Sequence, residues 1–256
     1  MNVKQILVDN RPLPLLLGLI TVLLNIVWTL VHDATRAHIT IAAVISFAAM
    51  SLVHATLTRG SDFANRVFTT TVITSFVAEF LGLHTHIIFG HYEYTDQLGM
   101  QLFGVPLLIP LAWFMMMYPC LLVGHSISTN PISSSAITAA LMTAWDLYLD
   151  PQMTHEVYWF WRSVTDSING IPVSNYLSWF FVAFLISHAI NKTVEPTPLT
   201  LADFAPFAML IWVWLGSFLA NIVPFAPFLD QPAVAVTGLI GMGAVMIPVI
   251  MRMRQV

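Results

Sequence analysis

Residues 78–119, "AEFLGLHTHIIFGHYEYTDQLGMQLFGVPLLIPLAWFMMMYP", begin and end like membrane-spanning segments but differ in the middle. Three histidines and the ring residues Tyr92 and Tyr94 interrupt the apolar pattern, and Trp113 follows in the second apolar run. Glu79 lies within the first run, where a charged side chain costs roughly 2.5–3.5 kcal/mol near the bilayer centre. The stretch therefore predicts two membrane helices joined by a polar aromatic loop, with Glu79 paired, protonated or facing a polar cavity.

The composition of the whole chain agrees with this interpretation. Of 256 residues, 57% are hydrophobic and 9% are charged, with a mean hydropathy of +0.79. Soluble domains carry about 25% charged residues, so we expect an all-α, polytopic integral membrane helical bundle in contact with the lipid bilayer. The net charge of −4 includes no basic stripe, which argues against nucleic acid as a partner. Cys120 lies in an apolar run and is expected to pack as a small hydrophobic residue.

A helix that crosses a bilayer needs roughly 20 predominantly apolar residues, and eight stretches come close. Segments rich in Pro, Gly, Asn and Ser separate most of them, such as "STNPISSS" before the fifth. The first run lacks a small-residue cleavage site and is interpreted as an anchor. We expect one transmembrane domain over 1–256, with the motifs in about 70–190. The predicted spans are about 13–31, 38–56, 68–89, 104–126, 133–150, 175–190, 203–223 and 232–251.

The positions of the basic residues predict the orientation. With eight spans, only Arg36 and Arg162 fall on one side of the membrane. The positive-inside rule assigns the other side to the cytoplasm and places both termini there. The basic residues on the cytoplasmic side are Lys4, Arg11, Arg59, Arg66, Lys192, Arg252 and Arg254.

This topology brings the ends of helices 3 and 5 and the starts of helices 4 and 6 to the non-cytoplasmic side. Glu79 lies eleven residues before Gly90, or roughly 16 Å deep, and Trp113 lies nine residues after Gly104, or roughly 13 Å deep. The two side chains are therefore expected in one layer of the bundle, and the polar residues of the spans are expected to concentrate around this pole.

Spacing also predicts which acids and histidines share a helix face. Asp146 and Asp150 are four residues apart, on one face of helix 5, and Glu79 and His86 are seven apart, on one face of helix 3. Structural alternatives remain for each acid: Glu79 as a hydrogen-bonding helix partner, Asp146 as a loop cap, and Asp150, before Pro151, as an interfacial turn residue.

Two other groups of residues favour structural interpretations. Tyr158, Trp159 and Trp161 are expected to form an interfacial aromatic belt. His84, His86 and His91 contain an H-x-H pair, but the chain has no HxxxH or HxxHH box of the kind that membrane di-iron oxygenases use. We therefore expect no metal.

Five motifs in order resemble one known family. They are "E-x-x-G" in helix 3, "FGHYEYTDQLG", "GVPLLIPLAWFMMMYP", "AWDLYLDP" and "GIPVSNYLSWF", and they cover about residues 70–190. This combination resembles the carotenoid biosynthesis membrane protein family, whose named activity is bisanhydrobacterioruberin hydratase or carotenoid 1,2-hydratase.

The resemblance implies addition of water to the terminal double bond of an acyclic, lipophilic carotenoid, which gives a tertiary alcohol. It implies no cofactor, and it leaves room for contact with other carotenoid biosynthesis enzymes. Such chemistry needs a shielded acid, electron-rich rings around a cation, and a polar group that holds water. We expect Glu79 or Asp146 to donate the proton and the other to position water. The remaining site residues are then Asp150 and Asn175 at the water, Tyr92, Tyr94 and Trp113 around the cation, and His86 and Trp145 against the substrate.

Two other classes of function stay open. A proton-coupled transporter or a small-molecule-binding membrane subunit also uses an intramembrane acid; polar residues at only one pole and the lack of an inverted repeat argue against transport, whereas a second polar layer at the cytoplasmic end favours it. A carotenoid isomerase or cyclase also begins with protonation, and only the product mass separates it from a hydratase.

Overall fold

The computed structural model describes residues 12–223 and 230–253, which form eight helical rods and three short antiparallel strand pairs. The helices are α1 (Pro12–Trp28), α2 (Asp33–Arg59), α3 (Ser61–Thr85), α4 (Leu108–Ile127), α5 (Pro131–His155), α6 (Val173–Asn191), α7 (Phe204–Ile211), α8 (Ser217–Ile222) and α9 (Pro232–Met253). A π-helical turn, Trp212–Gly216, joins α7 and α8 into one rod. The strands are β1 (Tyr92–Tyr94), β2 (Gln101–Leu102), β3 (Val105–Pro106), β4 (Trp159–Trp161), β5 (Ser167–Ile168) and β6 (Ile171–Pro172).

Each predicted span coincides with one rod, and the differences lie at the edges. Helix α3 ends four residues early because His86 adopts a left-handed conformation and its amide donates to the Gly82 carbonyl. Helix α4 begins late because Val105 and Pro106 pair with β2. Helix α5 continues through Pro151 to His155.

Six of the described helical segments are long and apolar enough to cross a membrane: α2, α3, α4, α6, the α7–α8 rod and α9. Helix α1 is apolar but has 17 residues, and α5 is rich in Ser, Thr and Asp. The predicted all-α, multi-pass membrane bundle is confirmed, while the number of spans and the side of the termini stay predictions. Lys4, Arg11 and Arg254, which contribute to the charge count, lie outside the described residues.

Helix α4 forms the centre of the bundle and packs against α2, α3 and α5. Its middle, including Phe114, Met116 and the predicted small hydrophobic residue Cys120, is fully buried. Near its C-terminal end Gly124 permits close contact with α5, because a Cβ there would lie 2.7 Å from the Ser134 carbonyl and still closer to the Thr138 hydroxyl. The central helix is therefore held by dense packing on several sides.

The strand pair β1–β4 closes one end of the bundle, which we call the site pole. There α3 and α5 end while α4 and α6 begin. The antiparallel register pairs Tyr92 with Trp161 and Tyr94 with Trp159. This pairing joins the α3–α4 loop to the α5–α6 loop directly above the predicted site.

Candidate functional site

Glu79 lies at the centre of the site, 4% exposed, and receives three hydrogen bonds from ring side chains. The hydroxyls of Tyr92 and Tyr94 donate to Oε2 at 2.6 and 2.8 Å, and Trp113 Nε1 donates to Oε1 at 3.1 Å. The predicted common layer of Glu79 and Trp113 is confirmed. None of the ion pairs among the described residues includes Glu79, so neutral donors surround this carboxyl group.

Local structure explains why two tyrosines reach the same oxygen. Residues two apart on a strand face the same side, so Tyr92 and Tyr94 both point from β1 towards the end of α3. Burial raises the pKa of both hydroxyls well above their ordinary value, and the nearby Glu79 carboxyl raises it further. Both tyrosines therefore keep their protons and act as hydrogen-bond donors.

Two further carboxyl groups lie on one face of α5, as predicted. Asn175 of α6 donates through Nδ2 to Asp146 Oδ2 at 3.0 Å and also to Asp150 Oδ2. Trp159 Nε1 donates to Asp150 Oδ1 at 3.1 Å. Among the described residues no N–H or O–H donor reaches Asp146 Oδ1. No ion pair among the described residues includes either acid, and two carboxyl groups so placed can share one proton.

The alternatives of a loop cap for Asp146 and a turn residue for Asp150 are wrong. Asp146 is fully buried and Asp150 is 2% exposed, both within a helix that continues past Pro151. The site thus holds three buried carboxyl groups, of which one belongs to α3 and two to α5.

Aromatic rings surround these acids. Trp113 and Trp179 stack with centroids 4.1 Å apart and planes 11° apart, and Trp145 meets Trp179 edge-on. Sequence reasoning missed Trp179, although it follows Asn175 by four residues and so shares its helix face. The site therefore has a continuous aromatic wall from α4 through α6 to α5.

The predicted interfacial belt is wrong for Tyr158 and Trp159, which are 1% and 7% exposed. Pairing of β4 with β1 turns Trp159 inward, where it contacts Asp150, and Trp161 donates from Nε1 to the Phe89 carbonyl. The alternation W-x-W is the signal for a strand with one aromatic face, and it was available in the sequence.

A cavity of about 470 Å³ connects these groups, within the size range of small-molecule sites. Asp146 lies behind its lining, next to Asn175. The predicted residues that line the cavity are Glu79, Tyr92, Tyr94, Trp113, Trp145, Asp150 and Asn175.

His86 does not join the site. Helix α3 ends at Thr85, so the predicted common face of Glu79 and His86 is wrong. The His86 ring is exposed and stacks on His91 with centroids 3.9 Å apart. Across residues 12–223 and 230–253, no three His, Cys, Asp or Glu side chains are grouped to hold a metal ion.

A second polar cluster lies at the other end of the bundle, the opposite pole. Arg59 Nη1 pairs with Asp203 Oδ1 at 2.6 Å. His54 binds the Ala202 carbonyl through Nε2 at 2.8 Å and the Tyr118 hydroxyl through Nδ1 at 2.7 Å. The expectation that buried polar residues concentrate at one pole is therefore wrong, and the signal for the second cluster was His54 and Tyr118 inside apolar runs.

Comparison with known proteins identifies one family. A family model described as "carotenoid biosynthesis protein" matches residues 36–246, which include every element of the site. No curated protein and no solved structure matches the chain.

Proposed function

Because this chain belongs to the carotenoid biosynthesis protein family, we propose that it adds water to the terminal double bond of an acyclic carotenoid end group. The family and the apolar helices make it a multi-pass membrane protein of carotenoid biosynthesis. The observation that carries the hydratase proposal is Glu79, a buried carboxyl group that borders an aromatic cavity and whose hydrogen-bond donors, among the described residues, are all neutral.

Glu79 supplies the proton in this proposal. An alkene without activating groups reacts only when an acid protonates it, and a carboxyl group shielded from bulk water is suited to that step. Oε1 accepts one hydrogen bond and Oε2 accepts two from side chains, so we assign the transferable proton to Oε1. Once the proton leaves, three donors stabilise the carboxylate, and they do so more strongly than they stabilise the neutral acid.

Proton transfer leaves a tertiary cation on the more substituted carbon. The indole rings of Trp113, Trp145 and Trp179 line the cavity that Glu79 borders, and indole rings attract cations without forming bonds to them. This wall lengthens the life of the cation until water reaches it.

Water is added from the side of α5. Asp150 borders the cavity, and Asn175 links Asp150 to Asp146 by donating a hydrogen bond to each. A water molecule held by Asp150 attacks the cation, a C–O bond forms, and the released proton passes to the Asp146–Asp150 pair. Return of one proton to Glu79 restores the site, and the sum is alkene plus water giving tertiary alcohol.

The test is conversion of lycopene in membranes that contain the chain, with products weighed by mass spectrometry. Glu79→Gln should lower the yield of product heavier by one water at least about 100-fold, since general acids contribute about 10²–10⁴. Exposed Asp96→Asn is the matched control and should keep its activity. Full activity in Glu79→Gln removes Glu79 from the acid role, and a product of unchanged mass identifies an isomerase or cyclase instead.

The second polar cluster favours one competing function, proton-coupled transport. Acidic, basic and imidazole groups occur at the opposite pole, as a pathway across the membrane requires. The described lining of the cavity, however, includes none of His54, Arg59 and Asp203. Proton uptake by liposomes that contain the purified chain, followed with a pH-sensitive dye, distinguishes the two functions: a flux lost in Glu79→Gln supports transport.

A further inference from the structure

The cavity extends well beyond the acids, along a route that the reaction itself does not need. From Glu79 it continues past α2 to a region between α1 and the α7–α8 rod. Thr21 and Asn25 line that region from α1, and Val213, Gly216 and Ala220 line it from the rod. We call this region the distal arm.

The π-helical turn shapes the distal arm. Such turns are rare and are frequent at functional sites, and here the turn spans Trp212–Gly216. Gly216 leaves room for the indole of Trp212, since a Cβ there would lie 3.3 Å from the ring. Trp212 Nε1 donates to Asn25 Oδ1 at 3.0 Å, which ties the rod to α1 beside the arm.

The distal arm reaches the surface through apolar residues. Ile26 and Leu30 near the end of α1 and Leu219 of α8 line the cavity, yet they are 44%, 64% and 52% exposed. On a multi-pass membrane protein an exposed apolar mouth of this kind is suited to contact with lipid. A ligand that occupies the arm therefore remains in contact with the bilayer.

We infer that the distal arm binds the polyene chain of the substrate while the reacting end group lies against Glu79. The identity of the occupant rests on the proposed function. The arm is apolar apart from a few amide and hydroxyl groups, as a hydrocarbon chain requires, and it opens at its far end. The described residues form no closed wall there that limits chain length, so either end of a long polyene can enter in turn.

The experiment compares lycopene retained by the detergent-purified chain, measured by absorbance per mole of protein. Ala220→Trp places an indole in the arm and should lower retention at least tenfold. Leu215→Trp is the matched control, because Leu215 lies on the same rod, is 39% exposed and does not line the cavity. Val213→Phe, a smaller filling of the same arm, replaces Ala220→Trp if that variant does not elute as a folded species.

Equal retention in the wild type, Leu215→Trp and the arm variant, whether high or absent, overturns the inference. Retention lost only in the arm variant supports it. The retention measurement does not depend on hydration. If the arm variant alone loses lycopene and the protein never adds water to it, the polyene-binding role of the distal arm is kept and only the hydratase proposal is removed.

Discussion

The two poles of the bundle solve the problem of buried polar groups differently. At the site pole, three neutral donors converge on Glu79 beside an open cavity. At the opposite pole, Arg59 and Asp203 neutralise each other directly. Arg59 Nη1 also donates to the Tyr118 hydroxyl, and the Thr200 hydroxyl donates to Asp203 Oδ2. Ion pairs also occur at the site pole, but none of those among the described residues includes Glu79: Arg36 pairs with Glu156 where α2 begins, and Glu93 pairs with Arg162 on the β1–β4 ladder, with both side chains of that second pair exposed.

This difference shows what separates a site from a structural network. A buried charge pair that satisfies itself holds elements together and offers nothing to a ligand. A carboxyl group held by neutral donors keeps its chemistry available, provided that space remains in front of it. Buried acids in a membrane sequence are therefore a first indication only, and the neighbouring cavity decides between the two roles.

The largest effect is expected at the opposite pole. Asp203→Ala leaves the Arg59 guanidinium without its counter-ion, with side chains that are 9% and 1% exposed in the wild type. Breaking such a pair costs about 3–5 kcal/mol, which unfolding in mixed detergent should register. The double variant Arg59→Met with Asp203→Ala should recover much of the loss, and exposed Asp62→Ala, in the first turn of α3, should cost less than about 1 kcal/mol. If Asp203→Ala has the same free energy of unfolding as the wild type, the Arg59–Asp203 pair does not stabilise the fold and the contrast with the site pole is lost.

An intermediate effect is expected from added methyl groups. Gly124→Ala forces a Cβ against Ser134 and Thr138 in the packed contact of α4 with α5, so we expect about 1–3 kcal/mol of destabilisation. In Gly216→Ala the atoms nearest the new Cβ belong to the Trp212 ring, at 3.3 Å or more, and this ring borders the cavity. It should change the free energy of unfolding by less than about 1 kcal/mol. If both variants lose the same free energy of unfolding, the region around Gly216 beside the cavity is packed as tightly as the contact of α4 with α5 around Gly124.

The smallest effect is expected at the surface pair of the site pole. Hydrogen bonding from Arg162 holds the pKa of Glu93 below its ordinary value of 4.5. The folded chain is therefore stabilised above that value, and the contribution is lost as the pH falls through the lowered pKa. Glu93→Gln should lower the melting temperature by no more than about 2 °C at neutral pH, and the deficit should vanish once the pH has fallen below the lowered pKa of Glu93. If the lower melting temperature of Glu93→Gln persists in acid, the charge of Glu93 is not its cause.

Sequence reasoning reached those features that depend on one helix at a time. Hydropathy located the rods, the helical rise placed Glu79 level with Trp113, and the four-residue spacing put Asp146 and Asp150 on one face. It failed where distant segments meet. Trp159 faces inward because β4 pairs with β1, and Arg59 meets a partner 144 residues away. The local sequence pattern carries no information about such pairings. It also missed the early end of α3, which depends on the left-handed conformation of one residue, His86.

The β1–β4 ladder has a consequence for biogenesis. Tyr92 and Tyr94 are held against Glu79 by a strand whose partner, Trp159–Trp161, is made only after two further helices have been synthesised. The acid therefore enters the bilayer before the scaffold that orients its donors exists. Assembly of the candidate site waits for the α5–α6 hairpin, and a nascent chain truncated before that hairpin inserts the acid without its complete surroundings.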